Sequence, residues 1–212
     1  MKNINFIPVL IYILISISCK NEVIKVDIKH RFENNIKYAN GFDIITKNGI
    51  KKLIIKSPYQ NSKDVFEYQI KNKTVSKNIN KNNLIIEVPI TKIVVTSTTH
   101  IPMVELLNEE ATVIGFPYSK YVSSEKTRQL IDSGNITEIG KENSLNTEIL
   151  LDLEPEIVVG YSVSSADKSL TTIKKAGINV IYNGDWLEET PLGRAEWIKF
   201  FGVLFNKEKQ AD

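Results

Sequence analysis

Ile93-Val94-Val95-Thr96-Ser97-Thr98-Thr99-His100-Ile101-Pro102 is the stretch on which the fold turns. Its first four residues are too few for a helix and too uniformly apolar for a strand with one wet face. Such a run reads as a short strand buried on both sides. Hydroxyl residues follow at once. Thr99 is placed to cap a helix and Pro102 suits a first turn, so the spacing predicts a helix over 103–108. A buried strand passing directly into a helix is the first half of a β-α-β unit.

The same grammar repeats toward the C terminus. Residues 112–115, 156–160 and 178–182 read as strands, and 124–131, 147–153 and 166–176 as helices. Gly134, Pro155 and Gly177 are the stops, and Asn146 is a cap. From Pro191 a longer helix is expected through Trp197, Phe200, Phe201 and Leu204, whose spacing gives one apolar face. Four alternations of this kind predict a parallel sheet covered on both faces. Ligands of such sheets sit beyond the carboxyl ends of the strands. The loops at 97–101, 116–123, 161–165 and 183–189 are therefore the ones to inspect.

Residues 38–88 follow a different pattern. Gly41 to Thr46 and Ile50 to Lys56 flank Lys47-Asn48-Gly49. Asn-Gly between apolar runs signals a tight hairpin, because the turn needs positive φ twice. Val65 to Ile70 alternates with period two, and Leu84 to Val88 is a further strand. Charge divides at the same place. Residues 20–90 hold 14 Lys/Arg against 7 Asp/Glu, and residues 91–212 hold 12 against 18. Lysines alternating with apolar residues belong to the wet face of a sheet, so no nucleic-acid partner is expected.

The first residues are read as targeting, not fold. Lys2 precedes an apolar run from Phe6 to Ile15, too short to span a bilayer comfortably. The run ends at Ser16-Ile17-Ser18-Cys19, which looks like a lipoprotein signal with Cys19 as the lipid attachment point. Cys19 is the only cysteine, so no internal disulfide is available to it. An ordinary secretory signal with an incidental cysteine is the alternative. The polar stretch up to residue 37 is read as a tether.

No enzyme machinery is assembled in the sequence. The two histidines are His30 and His100, no Gly-x-Ser-x-Gly occurs, and no glycine-rich phosphate loop follows a strand. Neither a catalytic residue, a metal site nor a cofactor is expected. The strand-end loops instead carry residues suited to holding a ligand: Thr98, Thr99 and His100, then Tyr118 and Tyr121, then Tyr161 and Ser162, then Asp185 and Trp186, with Arg194 opening the last helix. Each has a plainer reading. Thr99 could only cap, His100 could pack at the rim, the tyrosines could fill loops, Asp185 could cap a turn, and Arg194 could be a surface charge.

Four stretches carry a resemblance to a known family. They are Val94 to Pro102, Ser123 to Arg128, Asn146 to Gly160, and Tyr182 to Trp186 continued by Thr190 to Phe200. Together they resemble the amino-terminal lobe of substrate-binding lipoproteins that serve ABC importers for iron-siderophore complexes and cobalamin, in versions like those of Bacteroidetes. The resemblance implies an α/β, Rossmann-like parallel-sheet lobe of a two-lobed periplasmic-binding fold with a bridging helix, preceded by a small β-rich appendage. The implied organisation is a signal peptide at 1–18, a tether at 19–37, the appendage at 38–90, the lobe at 91–190 and the start of the bridging helix at 191–212. It implies as partners an ABC permease and its ATPase, a metal chelate (siderophore or haem) or cobalamin as cargo, and a lipid membrane reached through Cys19. Glu148, in the Asn146-Thr147-Glu148-Ile149 position, would dock on the permease; locally it would simply suit a helix amino terminus. The chain stops at Asp212, inside the implied bridge. A second lobe is therefore expected to be missing, the bridge is expected to fray, and cargo is expected to be held weakly or not at all. A surface adhesion or scaffold lipoprotein, with residues 38–88 as its working part, is the alternative reading.

Overall fold

Two five-stranded sheets and seven helices are built from these residues in a computed structural model, which describes residues 33–75, 85–141, 144–164 and 167–212. The signal segment, Cys19 and His30 lie outside the described residues. No helix among the described residues is long and apolar enough to cross a membrane.

The first sheet comprises β1 (Glu33–Asn34), β2 (Phe42–Lys47), β3 (Ile50–Ile55), β4 (Phe66–Asn72) and β5 (Ile85–Val88), in that order. Neighbours are antiparallel except β4 and β5, which run parallel. The expected hairpin is present. Lys47 pairs with Ile50, and Asn48 and Gly49 take φ of 53° and 77°. Alternation leaves one buried face, formed by Phe42, Ile44, Leu53, Ile55, Tyr68, Ile70, Ile86 and Val88. β1 is a departure from the expected tether. Asn34 also donates to Asp43, so the chain is already part of the sheet at residue 33.

The second half contains β6 (Ile93–Val95), α1 (His100–Leu106), β7 (Val113–Phe116), α2 (Glu125–Asp132) and β8 (Thr137–Glu138). A two-stranded hairpin follows, β9 (Gly140–Lys141) with β10 (Ser144–Leu145). Then come α3 (Thr147–Leu153), β11 (Ile157–Gly160), α4 (Lys168–Lys175), β12 (Val180–Tyr182), α5 (Pro191–Glu196), α6 (Ile198–Leu204) and α7 (Glu208–Ala211). The five long-sheet strands are all parallel, in the order β12-β11-β6-β7-β8. This is an α/β fold whose strand order reverses between β6 and β11. Ile93, Val94, Val95, Ile157, Val158 and Val159 are buried without alternation, as a sheet covered on both faces requires.

Alternate side chains of these strands feed two cores. Val94, Val158 and Val180 pack with Leu150, Leu170 and Ile173 of α3 and α4. Ile93, Val95, Ile157, Val159 and Ile181 pack on the opposite side with Ile101, Val104, Trp197, Phe200 and Phe201. That second core also contains the whole buried face of the first sheet. The two sheets therefore share one interior, with α6 at its centre.

The segment from Pro191 departs from the expected bridge. It is not one continuous helix: it breaks at Trp197, ends at Leu204, and turns back through Asn206 (φ 57°) into α7. Phe200, Phe201, Gly202, Val203 and Leu204 are all buried, and the one charged residue of α6, Lys199, is paired with Glu196 and Asp212, so α6 is packed within the molecule. Trp197 packs at a tilt against Phe42 with ring centroids 4.4 Å apart, and Ile90 N donates to Leu204 O at 2.9 Å. Burial of each such aromatic contributes roughly 1.5–3 kcal/mol.

Candidate functional site

The carboxyl end of β6 is tied to β11 by one hydroxyl. Thr96 Oγ1 donates to Val159 O at 3.2 Å and accepts from Tyr161 N at 3.0 Å. This fixes the chain at the point where strand order reverses, which is where parallel sheets open to ligands. Beyond it, Ser97 Oγ and Thr99 Oγ1 lie 2.8 Å apart, and His100 N donates to Ser97 O. Thr99 has no side-chain capping bond, contrary to the expected cap.

The loop after β7 forms the facing wall. Tyr118 adopts a left-handed backbone, φ 50° and ψ 50°, with its N–H bonded to Gly140 O at 3.0 Å. The buried Ser119 donates its amide to Glu138, and Arg128 Nη2 donates to Ser119 O. The rings of Tyr118 and Tyr121 are 5.5 Å apart, and Lys120 Nζ lies 5.5 and 5.0 Å from their centroids. Between the walls is a cleft of about 530 Å³ lined by Thr96, Ser97, Thr98, Phe116, Pro117, Tyr118 and Tyr121. A smaller hollow of about 340 Å³ shares Thr98 and Tyr121 with it and adds Thr99, Pro102, Glu105 and Ser124. Hydroxyls on one wall and π-faces beside an ammonium on the other suit a ligand with flat or oxygen-rich parts.

Of the residues expected at a site, the structure thus gathers Thr98, Tyr118 and Tyr121 on the main cleft and Thr99 on its neighbour. Thr96, Ser97, Phe116 and Pro117 also line the cleft; their position at strand ends was the signal for them. The others sit elsewhere. Tyr161 packs edge-on against Trp186, centroids 6.3 Å apart. Ser162 is buried, with its hydroxyl donated to Ser164 O. Arg194 is exposed and donates Nε to Glu188 O at 2.8 Å, so it pins backbone rather than facing the cleft. Glu148 is exposed at the start of α3, where Asn146 Oδ1 accepts from Glu148 N and Ile149 N.

His100 is the clearest departure. It is fully buried against Phe201, with centroids 5.5 Å apart, and does not reach the cleft. Its Nε2 lies 4.0 Å from Oδ1 of Asp185, which is also buried. Burial lowers its pKa to about 4, with Asp185 acting in the opposite direction. His100 is therefore neutral at ordinary pH. Among the described residues neither ring nitrogen finds a hydrogen-bond partner, and neither do Asp185 Oδ1, Asn183 Nδ2 and Trp186 Nε1. Among the described residues no three His, Cys, Asp or Glu side chains are grouped to hold a metal ion.

No family model matches the chain. An uncharacterized lipoprotein of Methanocaldococcus jannaschii is 28% identical over 198 residues, covering 83% of this chain and 47% of that protein. Among solved structures, a periplasmic binding protein from Veillonella parvula is 19% identical with a TM-score of 0.48, covering 76% of this chain and 47% of that one. The periplasmic haem-binding protein of Vibrio cholerae is 21% identical with a TM-score of 0.45, covering 57% and 44%. The chain thus spans about half the length of these proteins.

Proposed function

We propose that the chain is the cargo-holding lobe of a lipid-anchored substrate-binding protein of an ABC importer, taking a metal chelate such as a siderophore or haem, or cobalamin. The observation that carries this reading is the cleft between Thr96–Thr98 and Tyr118–Tyr121, at the carboxyl ends of β6 and β7. It has the right place in a parallel sheet and the right lining for a flat or oxygen-rich cargo. The sequence resemblance and the lipoprotein relative support the same reading. Cys19 would anchor the protein in the cell envelope. Glu148, exposed and held by its cap, would meet a basic residue of the permease. The remaining length of the relatives leaves room for a second wall closing over the cargo. An adhesive role for the first sheet finds no support in a sheet whose buried face belongs to the common core.

The test is a titration of the purified chain with hemin, cyanocobalamin and a ferric catecholate complex, followed by absorbance and tryptophan fluorescence. Saturable binding to at least one, in the range expected for a single wall (micromolar or weaker), is the expected result. No saturable signal with any of the three up to about 1 mM, an affinity of only ~4 kcal/mol, overturns the reading.

A further inference from the structure

Asn-Gly occurs three times in the sequence, at 40–41, 48–49 and 183–184. The dipeptide is chemically labile. Glycine has no side chain to shield its own amide nitrogen, and its backbone turns freely, so that nitrogen can reach the carboxamide carbon of the preceding asparagine. The three copies share this chemistry and differ in their surroundings, so the fold decides which of them reacts.

Two copies are held. Gly41 N donates to Glu188 Oε1 at 2.7 Å, and Asn40 N donates to the same carboxylate. The attacking nitrogen is therefore engaged, in a glycine that is itself buried. Asn183 is fully buried; its N donates to Gly160 O, and its Oδ1 accepts from Asp185 N at 2.9 Å. Gly184 is also buried, so close to the first sheet that a Cβ there would stand 2.1 Å from Ser57 O. Neither glycine nitrogen can swing toward its asparagine side chain without breaking these contacts.

Asn48 and Gly49 are the opposite case. They are the two exposed residues of the β2–β3 turn, at φ 53° and 77°. Beyond its chain neighbours, nothing lies within 4 Å of where a Gly49 Cβ would stand. Among the described residues no backbone hydrogen bond engages Gly49 N.

We propose that Asn48 is a site of spontaneous modification, converting through a cyclic imide to aspartate and isoaspartate, while the fold protects Asn40 and Asn183. Gly49 N gives its proton to solvent and attacks Cγ of Asn48. The Cγ–Nδ2 bond breaks, and Nδ2 takes up a proton and leaves as ammonia. One water then opens the ring. Hydrolysis at Cγ gives aspartate. Hydrolysis at the backbone carbonyl leaves the chain running through Cγ, which is isoaspartate. Water is the only co-reactant. Either product places a carboxylate in the turn, and isoaspartate also adds one backbone carbon to a two-residue turn whose geometry is set by positive φ at both positions.

The test holds the purified chain in warm, mildly alkaline buffer. Peptide mapping by mass spectrometry follows all three asparagines, and labelling by an isoaspartyl methyltransferase separates isoaspartate from aspartate. In the folded chain Asn48 is expected to convert about tenfold faster or more than Asn40 and Asn183, where reaction waits on local opening. In urea the three rates should come together, because the dipeptide alone then sets them. Asn48→Gly keeps a sequence suited to the turn and removes the amide, so the folded variant should lose the label. Conversion of Asn40 or Asn183 at the rate of Asn48 in the folded chain overturns the proposal. So does an Asn48 that stays intact in the folded chain for as long as the chain in urea takes to convert, and so does a label that persists in Asn48→Gly.

Discussion

Glu196 accepts the backbone amides of Lys37, Tyr38 and Ala39, and Glu188 accepts those of Asn40 and Gly41, so two carboxylates divide five consecutive N–H groups between them. Glu188 also accepts from Trp197 Nε1 at 3.1 Å. The pair fastens the entry of the first sheet to the helices of the second half. Both carboxylates are nearly buried, and both are fully used. Burial alone would push the Glu196 carboxyl up; the amides of Ala39, Tyr38 and Lys37, with Lys199 beside it, outweigh this and hold it below the usual range.

Replacing Glu196 by Ala would leave three amides without partners. The expected loss is about 2–4 kcal/mol, since each unsatisfied buried group costs about 1–3 kcal/mol and water can reach some of them. Because the folded pKa is lowered, the contribution of Glu196 is whole above the unfolded carboxylate value and is lost as pH falls through the folded one. Urea denaturation at neutral and strongly acidic pH checks this. Glu196→Ala should narrow the gap between the two midpoints, and an unchanged gap would show the clamp to be idle.

His100 should give a separate pH dependence in a higher window. Its pKa falls from 6.5 to about 4, burial being the main cause, so the unfolded chain binds a proton that the folded chain refuses between those values. Stability from this group is whole above the unfolded value and declines as pH drops toward the folded one. The full decline is about 3 kcal/mol. His100→Phe should flatten the stability profile between about pH 6.5 and 5, read by the urea midpoint. A slope that survives the substitution would assign the proton uptake to another group.

Phe201 tests whether the two sheets form one cooperative unit. Its ring touches His100, Phe200 and Phe205, and its cluster includes Phe42, Leu53 and Tyr68 of the first sheet. Phe201→Ala should cost about 3–5 kcal/mol and lower one single unfolding transition. Removal of the first sheet should unfold the remainder for the same reason. Two resolved transitions, with only one displaced by Phe201→Ala, would mean that the sheets fold independently.

Much of this architecture could be read from local pattern. The buried runs at Ile93–Val95 and Ile157–Gly160 showed themselves by uninterrupted apolar character, and the hairpin by Asn48-Gly49. β1, β8, β9 and β10 could not, because two residues carry no period. The cleft loops followed from strand ends, and Thr98, Tyr118 and Tyr121 with them. The roles of Glu188 and Glu196 carry no local signal, since the amides they serve lie 147 to 159 positions earlier. His100 misled for a similar reason: Phe201 and Asp185, which enclose it, come from distant elements. The helix from Pro191 had the right apolar spacing, but spacing does not reveal that the opposite face is buried too, here by the first sheet and α7.

Gly184 offers a last test of how tightly the strand-end loop after β12 is set against the first sheet. Its φ of −111° is open to any residue, so the requirement for glycine comes from contact, not conformation. A Cβ there would stand 2.1 Å from Ser57 O, a backbone atom that cannot swing aside. Gly184→Ala must therefore push the 183–187 loop away from residue 57, with an expected cost of about 1–3 kcal/mol. Trp186 lies in that loop and packs on Tyr161, so its fluorescence should change along with stability. Ser57→Ala is the control. It keeps the carbonyl and removes only the hydroxyl, and should stay within about 0.5 kcal/mol of the parent. If Gly184→Ala were as mild as the control, the close approach of loop and sheet would not exist in solution, and the loop bearing Trp186 would be free to move relative to the first sheet.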